Sequence, residues 1–203
     1  MNKPGLAEQA CNVEIDVLKE PIGKQDQYAA AFGGLNYIQF QKTGNVVVEP
    51  IALNQKELNT ITENLHLFYL GGSRSASEIL SSYNKSDRQK DVYKQSLSKL
   101  ADDLRDKLLC GDITAFGEIL DKGWEIKKKM SSRISSPLID EIYEKAISNG
   151  AIGGKLLGAG GNGFILLYIE KNNIKGVKEQ LNDLREIPFT FEWDGSSIIY
   201  NNQ

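Results

Sequence analysis

A glycine loop between two apolar runs decides how the second half of this chain folds. Residues 155–169 read KLLGAGGNGFILLYI, with four glycines among the six positions 158–163. The apolar residues on either side predict buried strands at Ile152–Leu157 and Phe164–Ile169. Glycines let backbone N–H groups point inwards, which suits an anion or a tight contact with another loop, and a plain glycine-rich hairpin remains the alternative.

The loop has the spacing G-x-G-x-x-G, but its surroundings exclude the common nucleotide motifs with related glycine patterns. A dinucleotide-binding motif needs a helix after the third glycine to meet the pyrophosphate, and here a strand follows. A Walker A loop needs Ser or Thr after Gly-Lys, whereas Leu156 follows Gly154-Lys155. The H-R-D and D-F-G partners of a protein-kinase loop are absent from the sequence.

The elements around the loop predict an α+β domain. From Leu65 the order is strand, helices, strand, strand, helix, strand, which is a split βαβ (ferredoxin-like) pattern with extra helices in its first crossover. The other predicted strands are Leu65–Leu70, Pro188–Glu192 and Ser197–Tyr200. The predicted helices are Ser75–Tyr83, the apolar stripe Leu97–Leu108, a helix capped by Asp112 that carries Trp124, a helix opened by Ser136-Pro137, and Ile174–Leu184.

The first 54 residues predict a different and incomplete unit. A near-helical apolar spacing ends at Pro21, and an alanine-rich helix that follows stops at Gly33-Gly34. Leu35–Phe40 and Val46–Ile51 then form a predicted hairpin. The predicted domains are therefore residues 1–54 and 55–203.

Composition narrows the class of protein. The chain has 203 residues, and its 24 Lys+Arg against 27 Asp+Glu give a net charge of −3, which argues against a nucleic-acid binder that neutralises phosphates in bulk. No apolar stretch approaches the roughly 18 residues that span a bilayer, so no membrane partner is expected. The start of the chain has no hydrophobic signal region, so a cytoplasmic location is expected.

Cysteine and histidine offer little for catalysis. Cys11 and Cys110 each lie in an apolar, helix-like pattern, which predicts buried thiols and no disulfide. His66 is the single histidine and lies in a predicted strand, where a structural role is expected. These three residues do not make a zinc site of the usual ligand count, so any general base is expected to be a carboxylate.

Two charged residues are candidates for chemistry. Asp26 begins the alanine-rich segment, where it either stabilises a helix N-terminus or acts on a substrate. Arg74 lies in Ser73-Arg74-Ser75 between a predicted strand and a predicted helix, a common position for phosphate contacts and equally for a helix cap.

Taken together, four segments resemble one family. PIGKQDQYAAAFGG at residues 21–34 is similar to the catalytic-aspartate segment of bacterial heptose-7-phosphate kinases, which belong to the GHMP kinase superfamily. Residues 155–164 resemble the third motif of that superfamily, and Gly72–Ala76 and Pro188–Phe191 also fit. The resemblance runs from about Leu6 to Tyr200. It implies an α+β, ferredoxin-like GHMP kinase C-terminal domain and the remnant of a ribosomal-S5-like N-terminal domain.

The resemblance also implies an activity: transfer of a phosphoryl group from ATP, with Mg²⁺, to the anomeric hydroxyl of a heptose 7-phosphate. Asp26 would be the general base or would orient that hydroxyl. The implied substrate-binding residues are Gly23, Lys24, Gln25 and Arg74. The implied nucleotide-binding residues are Gly158, Ala159, Gly160, Gly161, Asn162 and Gly163, and no protein ligand to a metal is assigned. Asn162 departs from the family's usual glycine at its position.

A larger departure lies upstream. The family carries a Gly-Leu-x-Ser-Ser loop that wraps the ATP phosphates, and Pro4-Gly5-Leu6 is only an echo of it, without the two serines. We therefore expect the chain alone to be inactive. We also expect apolar surface around Leu35–Phe40 and Val46–Ile51 to be exposed, which favours self-association or pairing with a missing N-terminal fragment. The alternative is a non-catalytic ferredoxin-like binding module.

Overall fold

The computed structural model describes residues 2–71, 88–158 and 161–199, which form two compact units. The first unit combines Met1–Ala52 with Thr190–Gln203, and the second unit is Leu53–Phe189. The sequence assigns the C-terminal tail to the second domain, whereas the structure has it in the first unit. The predicted helix Ser75–Tyr83 lies outside the described residues.

The first unit is built from helices and one hairpin. Its elements are α1 (Lys3–Cys11), a π-helix (Asn12–Val17), α2 (Gln25–Phe32), β1 (Asn36–Phe40) and β2 (Val46–Pro50). Asn2 caps α1, because its side chain accepts a hydrogen bond from the Gly5 N–H at 3.0 Å. β1 and β2 pair antiparallel, which confirms the predicted hairpin.

The tail of the chain forms no strand in this unit. The predicted strands Pro188–Glu192 and Ser197–Tyr200 are wrong for residues 188–199, and Tyr200 is not described. The backbone of the tail bonds to the end of α2 instead: the Gly34 N–H donates to the Glu192 carbonyl at 2.7 Å, and the Ser196 N–H donates to the Ala30 carbonyl at 3.0 Å.

The second unit contains a four-stranded antiparallel sheet with helices in its connections. Its elements are α3 (Gln55–Asn64), β3 (Leu65–Gly71), α4 (Arg88–Leu109), α5 (Ala115–Met130), α6 (Pro137–Ser148), β4 (Ala151–Leu156), β5 (Gly163–Ile169), α7 (Ile174–Gln180) and β6 (Arg185–Glu186). The strands lie in the order β4-β5-β3-β6. This arrangement follows the β-α-β-β-α-β order predicted from the sequence, although its last strand is Arg185–Glu186, which was not predicted as a strand.

The core of the second unit lies between the sheet and the helices. Phe68 and Ile165 from the sheet and Trp124 from α5 are each at most 2% exposed. Helix α5 approaches β4 at a pair of glycines, since a Cβ on Gly153 would lie 2.1 Å from the Gly117 carbonyl oxygen. Burial of these large side chains supplies the main stabilisation of the sheet.

Three sequence expectations about individual residues meet different outcomes. Cys11 is buried as predicted, but Cys110 is exposed because it follows the last turn of α4, and both thiols are free. His66 has the expected structural setting, with its Nδ1 2.8 Å from Glu186 Oε1. In the described part of the chain, none of the helices is both long and apolar enough to cross a membrane.

Candidate functional site

Asp26 occupies the first turn of α2 in the first unit. It is the second residue of the helix, its side chain is exposed, and it has no hydrogen-bond or ion-pair partner among the residues that the structure describes. The N–H groups of a first helical turn lack partners within the helix and favour negative charge nearby. An accessible carboxylate at this position can accept a hydrogen bond from a hydroxyl group.

The residues after Asp26 anchor the helix beneath it. Tyr28 is 4% exposed and packs its ring on Phe32 and, edge to face at 5.7 Å, on Phe40. Gln27 is also buried, and its Oε1 has no partner in the described part of the chain. Because residues two apart on a helix do not share a face, anchoring by Tyr28 directs Asp26 to the outside.

The glycine loop joins β4 to β5 in the second unit, as the sequence predicts. Gly158, Gly161 and Gly163 have φ angles of 69°, 82° and 101°. Residues that carry a Cβ rarely adopt such positive φ angles. The hairpin closes beneath the loop through a 2.8 Å hydrogen bond from the Leu157 N–H to the Phe164 carbonyl. Ala159 and Gly160 lie outside the described residues.

Two contacts from outside the hairpin fix the shape of the loop. Lys127 Nζ, in the last turn of α5, donates to the Gly158 carbonyl at 2.9 Å. The Gly161 N–H donates to the carbonyl of Ile134, in the connection between α5 and α6, at 2.9 Å. The amide of Gly161 is therefore committed to the protein itself.

The described part of the loop fits an anionic group better at its ends than at its middle. A Cβ added at Gly158 or Gly163 would meet nothing within 4 Å, so the backbone there is open to another molecule. The last turn of α5 adds Lys127, Lys128 and Lys129. Lys128 is held by Glu125 at 2.6 Å, so its charge is largely balanced.

The predicted site residues fall into two groups. Gly23, Lys24 and Gln25 are exposed and lead directly into Asp26 in the first unit. The described loop residues, Gly158 and 161–163, belong to the second unit. Arg74 lies outside the described residues. Within residues 2–71, 88–158 and 161–199, no group of three or more His, Cys, Asp or Glu side chains is placed to hold a metal ion.

Sequence reasoning missed the residues that hold the loop. Lys127 and Ile134 are distant from the glycines in sequence, and only the packing of α5 against β4 brings them to the loop. The run of three lysines at residues 127–129 is the one sequence signal that could have pointed to Lys127.

Comparison with known proteins identifies a domain within the second unit. Residues 100–185 match the family described as GHMP kinases C terminal, and they run from α4 to β6. Residues 100–185 therefore form a GHMP kinase C-terminal domain. This assignment confirms the family recognised from the catalytic-aspartate segment and the glycine loop.

Individual relatives extend beyond the GHMP kinase C-terminal domain. The chain is 28% identical to the D-glycero-alpha-D-manno-heptose 7-phosphate kinase of Campylobacter jejuni, over 92% of this chain and 57% of that protein. It is 27% identical to the galactokinase of Pyrococcus furiosus, over 98% of this chain and 61% of that protein. The crystal structure of a D-glycero-D-manno-heptose 1-phosphate kinase from Bacteroides thetaiotaomicron is 28% identical and aligns with a TM-score of 0.69, over 99% of this chain and 57% of that one.

These relatives share the sugar-kinase class and are longer than this chain. The chain spans about 57% of the length of the Campylobacter jejuni kinase. The α+β fold of the second unit and its homology to sugar kinases are thus established.

Proposed function

We propose that this chain is the part of an ATP-dependent sugar kinase that carries the catalytic aspartate and the C-terminal domain. Its acceptor is the anomeric hydroxyl of a heptose 7-phosphate or a related sugar, and its location is cytoplasmic. The accessible, unpartnered carboxylate of Asp26 at the start of α2 carries the proposal. The likeness to a heptose-phosphate kinase over 92% of the chain supports the choice of acceptor.

Asp26 acts on the acceptor hydroxyl. As an exposed carboxylate it accepts the hydroxyl proton or orients the oxygen towards the phosphorus. Phosphoryl transfer depends mainly on positioning and on stabilisation of charge, so one oriented carboxylate is a sufficient protein base. Gly23, Lys24 and Gln25 are exposed and lead directly into Asp26, and their backbone groups contact the sugar.

The glycine loop serves the nucleotide. The loop residues Gly158, Ala159, Gly160, Gly161, Asn162 and Gly163 line the ATP phosphates, and Lys127 adds positive charge beside Gly158. ATP bound with Mg²⁺ supplies the phosphoryl group. Arg74 contacts a phosphate of the sugar or the nucleotide, and Arg74→Ala raises the Michaelis constant for the sugar phosphate more than it lowers thermal stability.

Asp26→Asn tests the proposal. The chain is joined to the N-terminal portion of the Campylobacter jejuni kinase, so that the assembly has the length of that relative. We expect Asp26→Asn to lower kcat by about 10²–10⁴-fold, because general acid–base catalysis contributes that much, while the fold is kept. Glu49→Gln, an exposed carboxylate on β2, is the matched control and should leave kcat unchanged. Near-normal turnover by Asp26→Asn removes Asp26 from the reaction.

The 203-residue chain by itself is proposed to be inactive. Its sequence holds no Gly-Leu-x-Ser-Ser loop, and the glycine loop lies between strands, so no helix N-terminus follows it. The loss of several charge-assisted hydrogen bonds, each worth about 1.5–3 kcal/mol, weakens ATP binding by orders of magnitude. Titration calorimetry with ATP and Mg²⁺ measures this directly, and micromolar affinity contradicts it.

The same chain is proposed to self-associate or to pair with an N-terminal fragment through the first unit. Val13 and Val17 of the π-helix and Leu18, which follows it, are 51%, 66% and 63% exposed. Adjacent exposed apolar side chains mark a surface that another protein covers. Light scattering should show oligomers whose fraction rises with concentration, and a clean monomer at high concentration would count against this surface.

A non-catalytic binding module is the second candidate. The second unit supports it, because a large enclosed core of its own lets that unit persist as a stable scaffold without catalysis. The binding module is favoured over the kinase on two conditions. The joined protein must be as inactive with Asp26 as with Asn at this position, and the form with Asp26 must still bind a sugar phosphate.

A further inference from the structure

The first unit contains a cavity that neither Asp26 nor the glycine loop shares. It lies between α1, the π-helix and α2 and has a volume of about 260 Å³. Glu8 and Cys11 line it from α1, Asn12 and Asp16 from the π-helix, and Tyr28 from α2. Lys24, immediately before α2, also lines it, and Ile15 adds the apolar part of the wall.

The cavity faces away from the proposed catalytic carboxylate. Lys24 and Tyr28 are four residues apart at the start of α2 and therefore share a face of the helix. Asp26 lies midway between them in sequence and so projects from the opposite side, where it is exposed. A molecule in the cavity would touch the helix that carries Asp26 without touching Asp26 itself.

The polar groups of the cavity are unused by the protein. Tyr28 is 4% exposed, yet its hydroxyl has no hydrogen-bond partner among residues 2–71, 88–158 and 161–199. The side chains of Glu8, Asn12, Asp16 and Lys24 likewise form no hydrogen bond or ion pair within the described residues. The ring of Tyr28 is buried, whereas its hydroxyl is not among the buried polar atoms and is free to bond to a molecule in the cavity.

The wall itself has an unusual backbone. Asn12–Val17 continues α1 as a six-residue π-helix, and three of its residues line the cavity. Stretches of π-helix are rare and occur frequently at functional sites, because the wider turn displaces side chains from the ordinary helical positions.

We propose that this cavity binds a small neutral polyol, such as an unphosphorylated sugar. Each sugar hydroxyl both donates and accepts a hydrogen bond, and the cavity offers both kinds of partner. The carboxylates of Glu8 and Asp16 accept, the ammonium of Lys24 and the hydroxyl of Tyr28 donate, and the amide of Asn12 does both. Two carboxylates against one ammonium oppose a phosphorylated ligand.

The thiol of Cys11 provides a reporter for occupancy. Burial raises the pKa of Cys11, with Lys24 opposing and Glu14 and Asp16 adding to that rise, so the thiol is neutral and reacts slowly near neutral pH. Burial, and then the charge of Glu8, also raise the pKa of Tyr28, so its phenol keeps the proton that it donates. A ligand in the cavity would cover Cys11.

The test measures alkylation of Cys11 in the 203-residue chain carrying Cys110→Ser, which leaves one thiol. We expect saturating D-mannose to slow alkylation by iodoacetamide about tenfold, which corresponds to about 1.4 kcal/mol of protection. D-Mannose 6-phosphate at the same concentration should give no protection. Because the readout is labelling and not turnover, its result is independent of whether the chain is part of a kinase.

Two variants and one control locate the effect. Asp16→Asn and Tyr28→Phe should abolish protection by D-mannose while circular dichroism shows an unchanged fold. Glu14→Gln, a carboxylate that also acts on Cys11 but does not line the cavity, should keep it. Absence of protection by D-mannose, equal protection by the phosphate, or protection that survives Asp16→Asn would each overturn the proposal.

Discussion

The two units of this chain are stabilised in different ways. Among the described residues, the core of the second unit contains fifteen buried side chains, including Trp124 and Phe68. The corresponding cluster of the first unit has four, namely Ala7, Cys11, Tyr28 and Ala31. Since apolar burial scales with buried area, the first unit draws far less stability from its core than the second.

Close backbone contact takes the place of a large core in the first unit. Gly33 has a φ of 65°, and a Cβ there would lie 2.3 Å from the Gly195 nitrogen. Gly195 also has a φ of 65°, and its own Cβ would lie 2.5 Å from the Ala31 carbonyl oxygen. Close glycine contacts occur in both units, since a Cβ on Gly153 of the second unit would lie 2.1 Å from the Gly117 carbonyl oxygen. The comparison therefore teaches that the second unit has much more stability to lose from its core, whereas the first unit depends more heavily on its glycine contact.

The two tryptophans allow the units to be measured separately. The chain has two, and Trp124 belongs to the second unit while Trp193 belongs to the first. Trp193→Phe leaves a fluorescence probe in the second unit only, and Trp124→Phe leaves one in the first. Urea titrations of these single-tryptophan chains provide the measurement for the next two predictions.

The largest effect is expected from a lost side chain in the second unit. Phe68 is 2% exposed in β3, and Phe68→Ala should lower the free energy of unfolding reported by Trp124 by about 3–5 kcal/mol. Phe40→Ala is the comparison in the first unit, where the ring of Phe40 is 44% exposed. It should lower the free energy of unfolding reported by Trp193 by a smaller amount. Equal losses at the two sites would show that the cores do not differ as described.

An added methyl group should have an intermediate effect in the first unit. Gly33→Ala places a Cβ against the backbone of Gly195, and we expect a loss of about 3 kcal/mol at the Trp193 probe. Gly44→Ala is the matched control, because Gly44 has a φ of 92° but nothing within 4 Å of a new Cβ. It should lose only about 1 kcal/mol from its backbone conformation. If Gly33→Ala and Gly44→Ala lose the same free energy of unfolding, the collision with the Gly195 backbone contributes nothing.

The smallest effect is expected at the edge of the sheet in the second unit. Glu186 in β6 accepts from Lys178 Nζ at 2.7 Å and lies 2.8 Å from His66 Nδ1. Burial tends to raise the pKa of Glu186, but the hydrogen bonds from Lys178 and His66 outweigh it, so the pKa is lowered. A lowered pKa in the folded state means that this stabilisation is present above the unfolded value and is lost as the pH falls through the folded value.

Denaturation at neutral pH and at about pH 3 measures that contribution, which we expect to stay below about 1 kcal/mol because the carboxylate is partly solvated. Glu186→Gln should remove this part of the pH dependence. Glu179→Gln, whose carboxylate is 64% exposed and 3.8 Å from Lys175, should leave it in place. An unchanged acid profile in Glu186→Gln would mean that the pair does not stabilise β6.

The sequence predicted most elements whose signals are local. The hairpin of the first unit and the strands on both sides of the glycine loop follow from alternation and turn residues, and Ser136 caps α6 as expected. Helix α3 was missed, although Asn54 and Glu57 form a reciprocal capping box that marks its start. That N-x-x-E pattern was readable from the sequence alone.

The failures come from partners that are distant in sequence. Residues 188–199 contain the alternating Phe189, Phe191 and Trp193 of a strand, but the tail bonds to the end of α2 and finds no strand to pair with. At the candidate site, Asp26 and the loop glycines could be identified by pattern. Lys127 and Ile134 could not, because only tertiary packing brings them to Gly158 and Gly161.

The contact between Gly33 and Gly195 also restricts how this chain can vary. A side chain at either position collides with backbone atoms of the other segment. Because every residue has the same backbone atoms, a second substitution cannot relieve the collision. In a library that randomises both positions together, we expect glycine to be retained at each one independently, with no compensating pairs. In every variant that keeps its function, the end of α2, the helix that carries Asp26, would then still pack against the backbone at Gly195.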